Sequence, residues 1–213
     1  MIHIDNLGLI LNKKEILSGI SFDARQGEIT GLVGDNGSGK TMIMKCICGF
    51  ITTYTGDILV DGKNIRDVDI QNLNMSMLIE NPGFISYYTG YKNLKCLADI
   101  NGRIDSAKIK SIMEYVGLDP KKREKVSAYS LGMRQRLGIA QALMEDPEIL
   151  ILDEPFNSLD RKMCNKIQNL LLDLKSSGKT IILSSHNQGD IERLCDKVYE
   201  INEGKLVRRR KND

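Results

Sequence analysis

The sequence predicts an α/β fold in which buried, mainly parallel strands alternate with helices. The run Ile149–Leu152 is entirely apolar, and Thr180–Ser184 has an apolar centre. Apolar strands without alternation are typical of parallel sheets that are covered on both faces. Helical segments with 3.6-residue periodicity separate such runs. The length of 213 residues suits one domain or two closely joined lobes.

The turn at residues 34–41, called the phosphate loop below, is the centre of this arrangement. It fits the pattern G-x-x-x-x-G-K-[ST] and reads Gly34-Asp35-Asn36-Gly37-Ser38-Gly39-Lys40-Thr41. A short apolar strand at 28–33 precedes it, and a helix at 40–48, closed by Gly49, follows it. A chance match is the alternative, but the flanking strand and helix argue against it.

Each part of this loop suits phosphate chemistry. Glycines let the main chain curl around an anion with its N–H groups pointing inward, and the helix N-terminus adds positive potential. Lys40 can bind the β- and γ-phosphates of a nucleotide, and the Thr41 hydroxyl can ligate Mg²⁺. The sequence therefore predicts a nucleotide site at this turn.

Further strands are predicted on both sides of the phosphate loop. Residues 15–22 and 27–29 are expected to form strands of an antiparallel subdomain, and residues 55–62 another strand bounded by turns. An apolar strand at 75–79 ends at a strong break, residues 80–83, which read Glu-Asn-Pro-Gly. Residues 198–207 are predicted as a hairpin that turns at residues 202–204.

A helical segment interrupts the strands. Asp105 can cap a helix that stops at Gly117, and a second helix is expected to begin behind Ser130 and to end before Pro147. We therefore predict one domain in two lobes. Residues 1–81 and 138–213 form a nucleotide-binding core lobe, and residues 82–137 form an inserted helical lobe.

Composition argues against several function classes. The net charge of +2 gives no strong indication either way, but the sequence lacks a basic stripe that would mark a nucleic-acid face, so we expect no nucleic-acid partner. The residues after Met1 lack the regions of a signal peptide. No apolar run approaches the ~18 residues of a membrane span, so we expect any membrane part to be another chain.

The cysteines indicate a reduced protein without a Cys/His metal site. They are five in number, with no C-x-x-C pair, and only two histidines are present. Reduced thiols of a cytosolic protein are the simplest interpretation. The basic tail at 208–211 has two interpretations. A solvated, frayed terminus is favoured over attraction to anionic lipid heads.

Two acidic residues follow the buried strand Ile149–Leu152. A carboxylate at the carboxyl end of a strand beside a phosphate loop can hold Mg²⁺, usually through water, and Asp153 is placed for this role. The next residue, Glu154, would face the γ-phosphate and orient or deprotonate the attacking water.

The order of the remaining motifs resembles the ATP-binding subunit of ABC transporters over the whole chain. The motifs are Tyr129-Ser130-Leu131-Gly132-Met133, Arg134-Gln135-Arg136, Ile149 to Pro155, Phe156-Asn157-Ser158-Leu159-Asp160 and Ser184-Ser185-His186. This resemblance implies a P-loop NTPase with a RecA-like core, an antiparallel β subdomain and an inserted helical subdomain. It also implies ATP and Mg²⁺ as ligands and hydrolysis of ATP as the reaction.

The resemblance assigns roles by position. Ser130 and Gly132 belong to the signature motif, Asp160 to the D-loop, His186 to the switch histidine and Glu80 to the Q-loop. His186 would contact the γ-phosphate, and Glu80 would lie near the metal with Thr41 and Asp153. Family members form a head-to-tail dimer in which each signature caps the ATP of the other subunit. A transmembrane permease would place the protein on the cytoplasmic side of the membrane.

Three positions depart from the usual family pattern. Met42 replaces a second hydroxyl after Thr41 and removes one expected α-phosphate contact. Leu11 lies where an aromatic residue often stacks on adenine, so base recognition is expected to be loose. Glu80 replaces the usual Gln, as in the bacitracin-resistance and lantibiotic-immunity exporters.

Two questions stay open at this point. Export of a peptide antibiotic and export of another substrate are about equally supported by Glu80. A soluble ABC-type ATPase that acts on ribosomes or DNA is the alternative to a transporter subunit. A P-loop kinase is a third hypothesis, and the signature and the switch histidine argue against it.

Overall fold

The computed structural model of the chain describes residues 1–80 and 83–211, apart from the side chains of Gln71, Asn101 and residues 209–211. The predictions that involve Asn81 and Pro82, which include the sequence break and the first residue of the helical lobe, lie outside the described residues.

The described residues form ten strands and six helices. The strands are β1 (Ile2–Leu11), β2 (Lys14–Ala24), β3 (Ile29–Val33), β4 (Tyr54–Val60), β5 (Lys63–Asn64), β6 (Met75–Leu78), β7 (Ile149–Leu152), β8 (Thr180–Ser184), β9 (Lys197–Asn202) and β10 (Lys205–Lys211). The helices are α1 (Lys40–Ile47), α2 (Gly90–Asn101), α3 (Ser106–Tyr115), α4 (Leu131–Leu143), α5 (Arg161–Ser176) and α6 (Gln188–Leu194). Short 3₁₀ turns lie at Ile70–Asn72 and Val126–Ala128.

A six-stranded sheet in the order β10-β9-β3-β8-β7-β6 forms the centre of the fold. Strands β9, β3, β8, β7 and β6 are parallel, and β10 pairs antiparallel to β9. Every residue of β7 and β8 is buried, as the apolar sequences predicted. Since β3, β7 and β8 run in one direction, the turns after all three open at the same edge of the sheet.

The two faces of this sheet pack on different layers. Leu32, Ile151 and Ile182 share one apolar cluster with α1 and with β1, β2 and β4. Their neighbours along the same strands, such as Ile181 and Leu183, pack with α4 and α5 on the opposite face. This alternation follows from the two-residue period of a strand, and it places α1 between the two sheets.

The predicted antiparallel subdomain is a four-stranded sheet in the order β2-β1-β4-β5. The prediction for residues 27–29 was wrong, because they add no strand to it. Gly27 is in a turn at φ 71°, and its N–H donates to the Lys179 carbonyl at 3.2 Å. Ile29 then enters the central sheet between β8 and β9.

The helical segment between β6 and β7 contains α2, α3 and α4. Asp105 caps α3 by accepting from the Lys108 N–H at 2.9 Å, and Gly117 follows that helix at φ 72°, as predicted. The predicted boundary at residue 137 lies inside α4, which continues to Leu143. Among the helices of residues 1–80 and 83–211, none combines the length and the apolar character needed to cross a bilayer.

The C-terminal hairpin of β9 and β10 is attached to the phosphate loop. The Gly204 N–H donates to the Ser38 carbonyl at 2.9 Å, and the Gly204 carbonyl accepts from the Ser18 N–H at 2.9 Å. The expectation of a frayed basic tail was wrong as far as the main chain is concerned, since residues 208–211 continue β10 in register with β9.

Candidate active site

The phosphate loop leaves β3 in a conformation that only glycine adopts easily. Gly34, Gly37 and Gly39 have φ values of 143°, 80° and 112°. A Cβ atom on Gly34 would lie 2.0 Å from the Ile201 carbonyl oxygen, and one on Gly39 would lie 2.7 Å from Leu17 Cδ2. Backbone conformation favours glycine at all three positions, and space also requires it at Gly34, where the neighbour is a main-chain carbonyl rather than the movable end of a side chain.

Positive potential converges inside this loop. Helix α1 has Gly39 as its N-cap with no side-chain hydrogen bond, so its first N–H groups point toward the loop. The Lys40 Nζ atom is folded into the loop and donates to the carbonyl oxygens of Gly34 and Asp35 at 2.7 and 2.9 Å. Asp35, Asn36 and Gly37 are exposed at its rim, and Ser38 is buried. This arrangement suits a phosphate group.

Asp153 is the buried carboxylate beside the loop. It follows β7, and its Oδ2 atom accepts from the Thr41 hydroxyl at 2.6 Å. Its Oδ1 atom accepts from the Ser184 hydroxyl at 2.5 Å. Two segments distant in sequence thus orient one carboxylate, and Thr41 and Asp153 are brought together as expected.

Glu154 pairs with the predicted switch histidine. Its Oε2 atom lies 2.8 Å from His186 Nδ1, and the His186 N–H donates to the same oxygen at 3.4 Å. The Glu154 main chain has φ 49°, a left-handed conformation that is strained for glutamate. Hydrogen bonds on both sides hold this residue. Its N–H donates to Ser184 Oγ at 2.9 Å, and its carbonyl accepts from Gln135 Nε2 at 3.1 Å.

A cleft of about 570 Å³ lies between the phosphate loop and the segment that carries His186. Its walls include Gly34, Asp35 and Asn36 on one side and Ser185, His186 and Gln188 on the other. His186 and the phosphate loop therefore share one solvent-accessible space, and Glu154 is connected to it through its bond to His186.

The oxygens of Thr41 and Asp153 fit a magnesium ion. Mg²⁺ prefers hard oxygen ligands and usually binds through one or two carboxylates, substrate phosphates and water. Within residues 1–80 and 83–211 no cluster of three or more His, Cys, Asp and Glu could form an all-protein metal cage. Thr41 and Asp153 would leave the remaining positions around the ion to phosphate oxygens and water.

Glu80 makes a contact that the sequence did not predict. It follows β6 at φ 54°, and its Oε1 atom pairs with the Lys45 Nζ atom at 2.7 Å. The structure therefore brings Glu80 to α1, the helix that carries Thr41.

The signature residues lie at the start of α4. Ser130 is exposed and caps the helix, with Oγ accepting from the Met133 N–H at 3.2 Å. A Cβ atom on Gly132 would lie 2.5 Å from the Ser158 carbonyl oxygen, so glycine lets α4 approach the D-loop closely. Asp160 ends that loop and caps α5 by accepting from Met163 N–H at 2.9 Å.

Leu11 and Met42, the two hydrophobic residues that depart from the family pattern, are both half-buried. Leu11 ends β1 next to an exposed turn, and Met42 lies in the first turn of α1. Both pack against the apolar cluster between the sheets.

The family follows from comparison with known sequences. The model of the ABC transporter family matches residues 17–157, which is more than half of the chain. The chain belongs to this family. It is an ABC-type ATPase and an ATP-binding subunit of an ABC transporter, so both of these expectations are confirmed.

Three curated relatives of the cassette show its place within the family. The uncharacterized ABC transporter ATP-binding protein YybJ of Bacillus subtilis is 40% identical, over 97% of this chain and 94% of the relative. The bacitracin transport ATP-binding protein BcrA of Enterococcus faecalis is 39% identical, over 97% of this chain and 68% of the relative. The lantibiotic transport ATP-binding protein SrtF of Streptococcus pyogenes is 33% identical, over 100% of this chain and 92% of the relative. The expected similarity to the bacitracin and lantibiotic group is confirmed.

Solved structures confirm the predicted fold class. An ATP-binding cassette dimer in a post-hydrolysis state with ADP and phosphate has a TM-score of 0.91 at 21% identity, over 100% of this chain and 99% of that chain. An ATP-binding subunit of an ABC transporter has a TM-score of 0.89 at 24% identity, over 99% of this chain and 89% of that one. At these identities the likeness concerns the fold.

Sequence reasoning did not find three residues of the cassette's site. Ser184 bridges Asp153 and Glu154, Gln135 holds the Glu154 and Pro155 carbonyls at 3.1 and 3.0 Å, and Lys45 pairs with Glu80. The position of Ser184 at the carboxyl end of a buried strand was a usable signal. Nothing local in the sequence pointed to Gln135 or Lys45, because their partners come from other elements.

Proposed function

We propose that this subunit binds ATP with Mg²⁺ at the phosphate loop and hydrolyses it to drive an exporter of peptide antibiotics or drugs. The observation that carries the proposal is a pair of side-chain bonds at the phosphate loop, which also holds Lys40. Thr41 of the loop bonds to Asp153, and His186, which lines one cleft with the loop, bonds to Glu154. The similarity to BcrA and SrtF, which are named for bacitracin and lantibiotic transport, supports the cargo class.

The residues of the loop divide the work of binding. The main-chain N–H groups of residues 34–41 surround the phosphates. The Lys40 Nζ atom, which donates to the Gly34 and Asp35 carbonyl oxygens in this structure, donates to phosphate oxygens when ATP is bound. Met42 and Leu11 border the nucleotide as apolar contacts, and Leu11 covers the base less specifically than an aromatic ring. Thr41 and Asp153 would hold Mg²⁺, with Glu80 nearby, and the ion supplies positive charge that neutralises the phosphate oxygens.

Glu154 positions the attacking water and accepts its proton. Its carboxylate is held by His186, its N–H by Ser184 and its carbonyl by Gln135, so the base is fixed before the reaction. His186 is exposed on the other side and can reach the γ-phosphate. Both residues lie on turns that follow adjacent parallel strands, which supports their action as a pair.

The assembly follows from the position of the signature. Ser130 and Gly132 lie at an exposed helix start, and we assign them to the ATP of a second cassette in a head-to-tail dimer. A transmembrane permease would receive the dimer at the cytoplasmic face of the membrane. The segment with α2, α3 and the start of α4 acts as the helical lobe, and the two sheets with α1, α5 and α6 act as the core lobe.

Two substitutions separate binding from hydrolysis. Lys40→Ala should weaken binding of a fluorescent ATP analogue, because the phosphates lose their mobile cation. Glu154→Gln should bind the analogue normally but slow ATP turnover by at least ~10²-fold. Glu114→Gln, on the exposed side of α3, is the matched control and should change neither value. If Glu154→Gln hydrolysed ATP at the wild-type rate, another residue would activate the attacking water, and His186 would be the first to test.

The cargo is tested in cells that express the subunit with its permease. Wild type should raise the bacitracin or lantibiotic concentration that stops growth, and Glu154→Gln should not. If neither protein protects the cells while purified wild type hydrolyses ATP, the export of peptide antibiotics is wrong and the ATPase assignment stands.

A further inference from the structure

Helix α1 reaches two carboxylates with one face. Thr41 and Lys45 are four residues apart, so their side chains lie one turn apart on the same side of the helix. Thr41 bonds to Asp153 after β7, and Lys45 pairs with Glu80 after β6. Strands β6 and β7 are parallel neighbours in continuous register from Met75 and Ile149 to Leu78 and Leu152. The Lys45–Glu80 pair therefore lies beside the Thr41–Asp153 bond, and the two contacts leave α1 at points ~6 Å apart along the helix axis.

The main-chain conformation and the side-chain direction of Glu80 both depend on its neighbours, and Lys45 is the neighbour that contacts its carboxylate. Its main chain is left-handed, at φ 54°, which glutamate adopts only when its surroundings determine it. Its side chain is 59% exposed, while that of Lys45 is only 22% exposed. Lys45 is thus the packed, ordered member of the pair, and Glu80 is the member whose direction the pair sets.

The charge of Glu80 creates a problem at this place. Asp153 and Glu154 already contribute two carboxylates at the same edge of the sheet. A third uncompensated carboxylate, one helix turn from Thr41, would repel the phosphate groups that the proposed function brings there. The ammonium of Lys45 at 2.7 Å cancels that charge.

We propose that Lys45 is a positioning residue that makes Glu80 compatible with ATP binding. It holds Glu80 beside the nucleotide site as half of a neutral ion pair, so that the cassette carries a glutamate there without a net negative charge. This inference rests on the proposed function, because it takes the phosphate loop as the ATP site.

A double-mutant cycle tests the dependence of Lys45 on Glu80. The four proteins are wild type, Lys45→Met, Glu80→Gln and the double variant. The first measurement is the dissociation constant of a fluorescent ATP analogue in EDTA, which reports the phosphate site without metal or hydrolysis. Lys45→Met should raise it about two- to fivefold, the range of a partly exposed ion pair, because Glu80 is then an unpaired anion. In the Glu80→Gln background the same substitution should change it less than twofold, because no charge remains to be cancelled.

The kinetic constants give the second measurement. Repulsion of the phosphates acts equally on bound ATP and on its transition state, so Lys45→Met should raise KM and leave kcat within about twofold. Lys45→Arg should restore KM, because a guanidinium also pairs with carboxylate. A merely structural role of Lys45 would lower kcat and the unfolding temperature together in both backgrounds. Lys110→Met, on the exposed face of α3, controls for the loss of one positive charge.

Three results would overturn the inference. Equal losses of affinity with Glu80 present and in the Glu80→Gln background would show that Lys45 acts on the phosphates directly. No loss in either background would show that the pair has no role in binding, and a fall in kcat without a change in KM would place it in the chemical step. Lys40→Ala distinguishes these results from failure of the proposed function. If it binds the analogue as wild type does, the phosphate loop is not the ATP site.

Discussion

At the scale of single residues, the site depends on one hydroxyl that serves both carboxylate residues. Ser184 donates to Asp153 Oδ1 and accepts from the Glu154 N–H, and it is fully buried. No other side chain in the described parts of the chain is shown bonding to both residues. The hydroxyl therefore fixes the metal candidate relative to the base.

Ser184→Ala should lower both stability and turnover. Two buried polar groups would each lose a partner, which costs about 1–3 kcal/mol of unfolding free energy. Displacement of Glu154 should reduce kcat about tenfold, with affinity for the ATP analogue retained. Urea denaturation and steady-state kinetics measure the two effects. Ser176→Ala, which removes an exposed hydroxyl on α5, is the control, and equal behaviour of the two variants would refute the bridging role.

The same scale shows what the sequence could predict. The places of the phosphate loop, Asp153, Glu154 and His186 in the fold were predictable, because each of them follows a buried strand or opens a helix. The partners were not, because Gln135 reaches Glu154 from α4 and Lys45 reaches Glu80 from α1. Such contacts depend on how elements pack and leave no local pattern in the sequence.

At the scale of elements, α5 and α6 hold the segment that carries His186. Arg193 on α6 donates to Gln168 Oε1 at 2.7 Å and to Asn169 Oδ1 at 2.7 Å on α5. Gln168 Nε2 in turn donates to Asp190 Oδ1 at 2.8 Å, and Asp190 Oδ2 accepts from Ser185 Oγ at 3.1 Å. This chain of bonds, the α5–α6 clamp, ends on the residue that precedes His186.

Gln168→Leu should loosen the clamp and slow hydrolysis. Asp190, which is 9% exposed, would keep only part of its hydrogen bonding, at a cost of about 1–3 kcal/mol. His186 would then be less well ordered, so kcat should fall while the affinity for the ATP analogue is unchanged. Asn169→Ala removes an exposed contact of the same arginine and should change stability by less than about 0.5 kcal/mol. A kcat of Gln168→Leu equal to that of Asn169→Ala would contradict the clamp.

Helices α2 and α6 were not predicted individually, for physical reasons. Gly90 resembles a helix breaker in sequence, yet it opens α2. A Cβ atom there would lie 2.7 Å from the Tyr129 hydroxyl, so glycine is present for space. The cap itself is ordinary, with Thr89 accepting from the Lys92 N–H. Helix α6 spans seven residues, too few for a periodic pattern to stand out.

At the scale of the whole molecule, the exposed start of α4 predicts association. Leu131, between Ser130 and Gly132, is 59% exposed beside a helix N-terminus. Glu154→Gln should therefore be monomeric alone and dimeric with ATP and Mg²⁺, as measured by light scattering after size exclusion. Adding Lys40→Ala should abolish the mass increase. A constant mass at high protein concentration would contradict ATP-driven pairing of isolated cassettes.

The buried thiols predict how the whole fold responds to alkaline pH. Burial raises the pKa values of Cys46, Cys48 and Cys195 from 9.0 to about 12 each. Between pH 9 and 12 the unfolded chain loses thiol protons that the folded chain retains. Below pH 9 the thiols are protonated in both states, so their contribution to the unfolding free energy does not change with pH. Above pH 9 the unfolding free energy should fall by about 1.4 kcal/mol per pH unit for each thiol.

Cys195→Ala isolates one of these contributions. Its unfolding free energy should fall less steeply above pH 9 than that of wild type, by the slope of one proton, because the buried thiol is gone. Urea denaturation at intervals from pH 7.5 to 11 measures both curves, and the difference at pH 7.5 accounts for the small cavity left by the substitution. Parallel curves would show that the thiol of Cys195 ionises alike in the folded and unfolded chains.

The bonds of Gly204 to Ser18 and Ser38 have a consequence for biosynthesis. A ribosome releases the phosphate loop early and the β9–β10 hairpin late, so the nascent chain carries an intact motif for most of its synthesis without the contacts that anchor it. Long-range pairings of this kind form after local ones, because their loop-closure entropy must be met first. We expect the newly made protein to bind ATP only once translation of the β9–β10 hairpin is complete. The incomplete subunit would then bind no nucleotide during its synthesis.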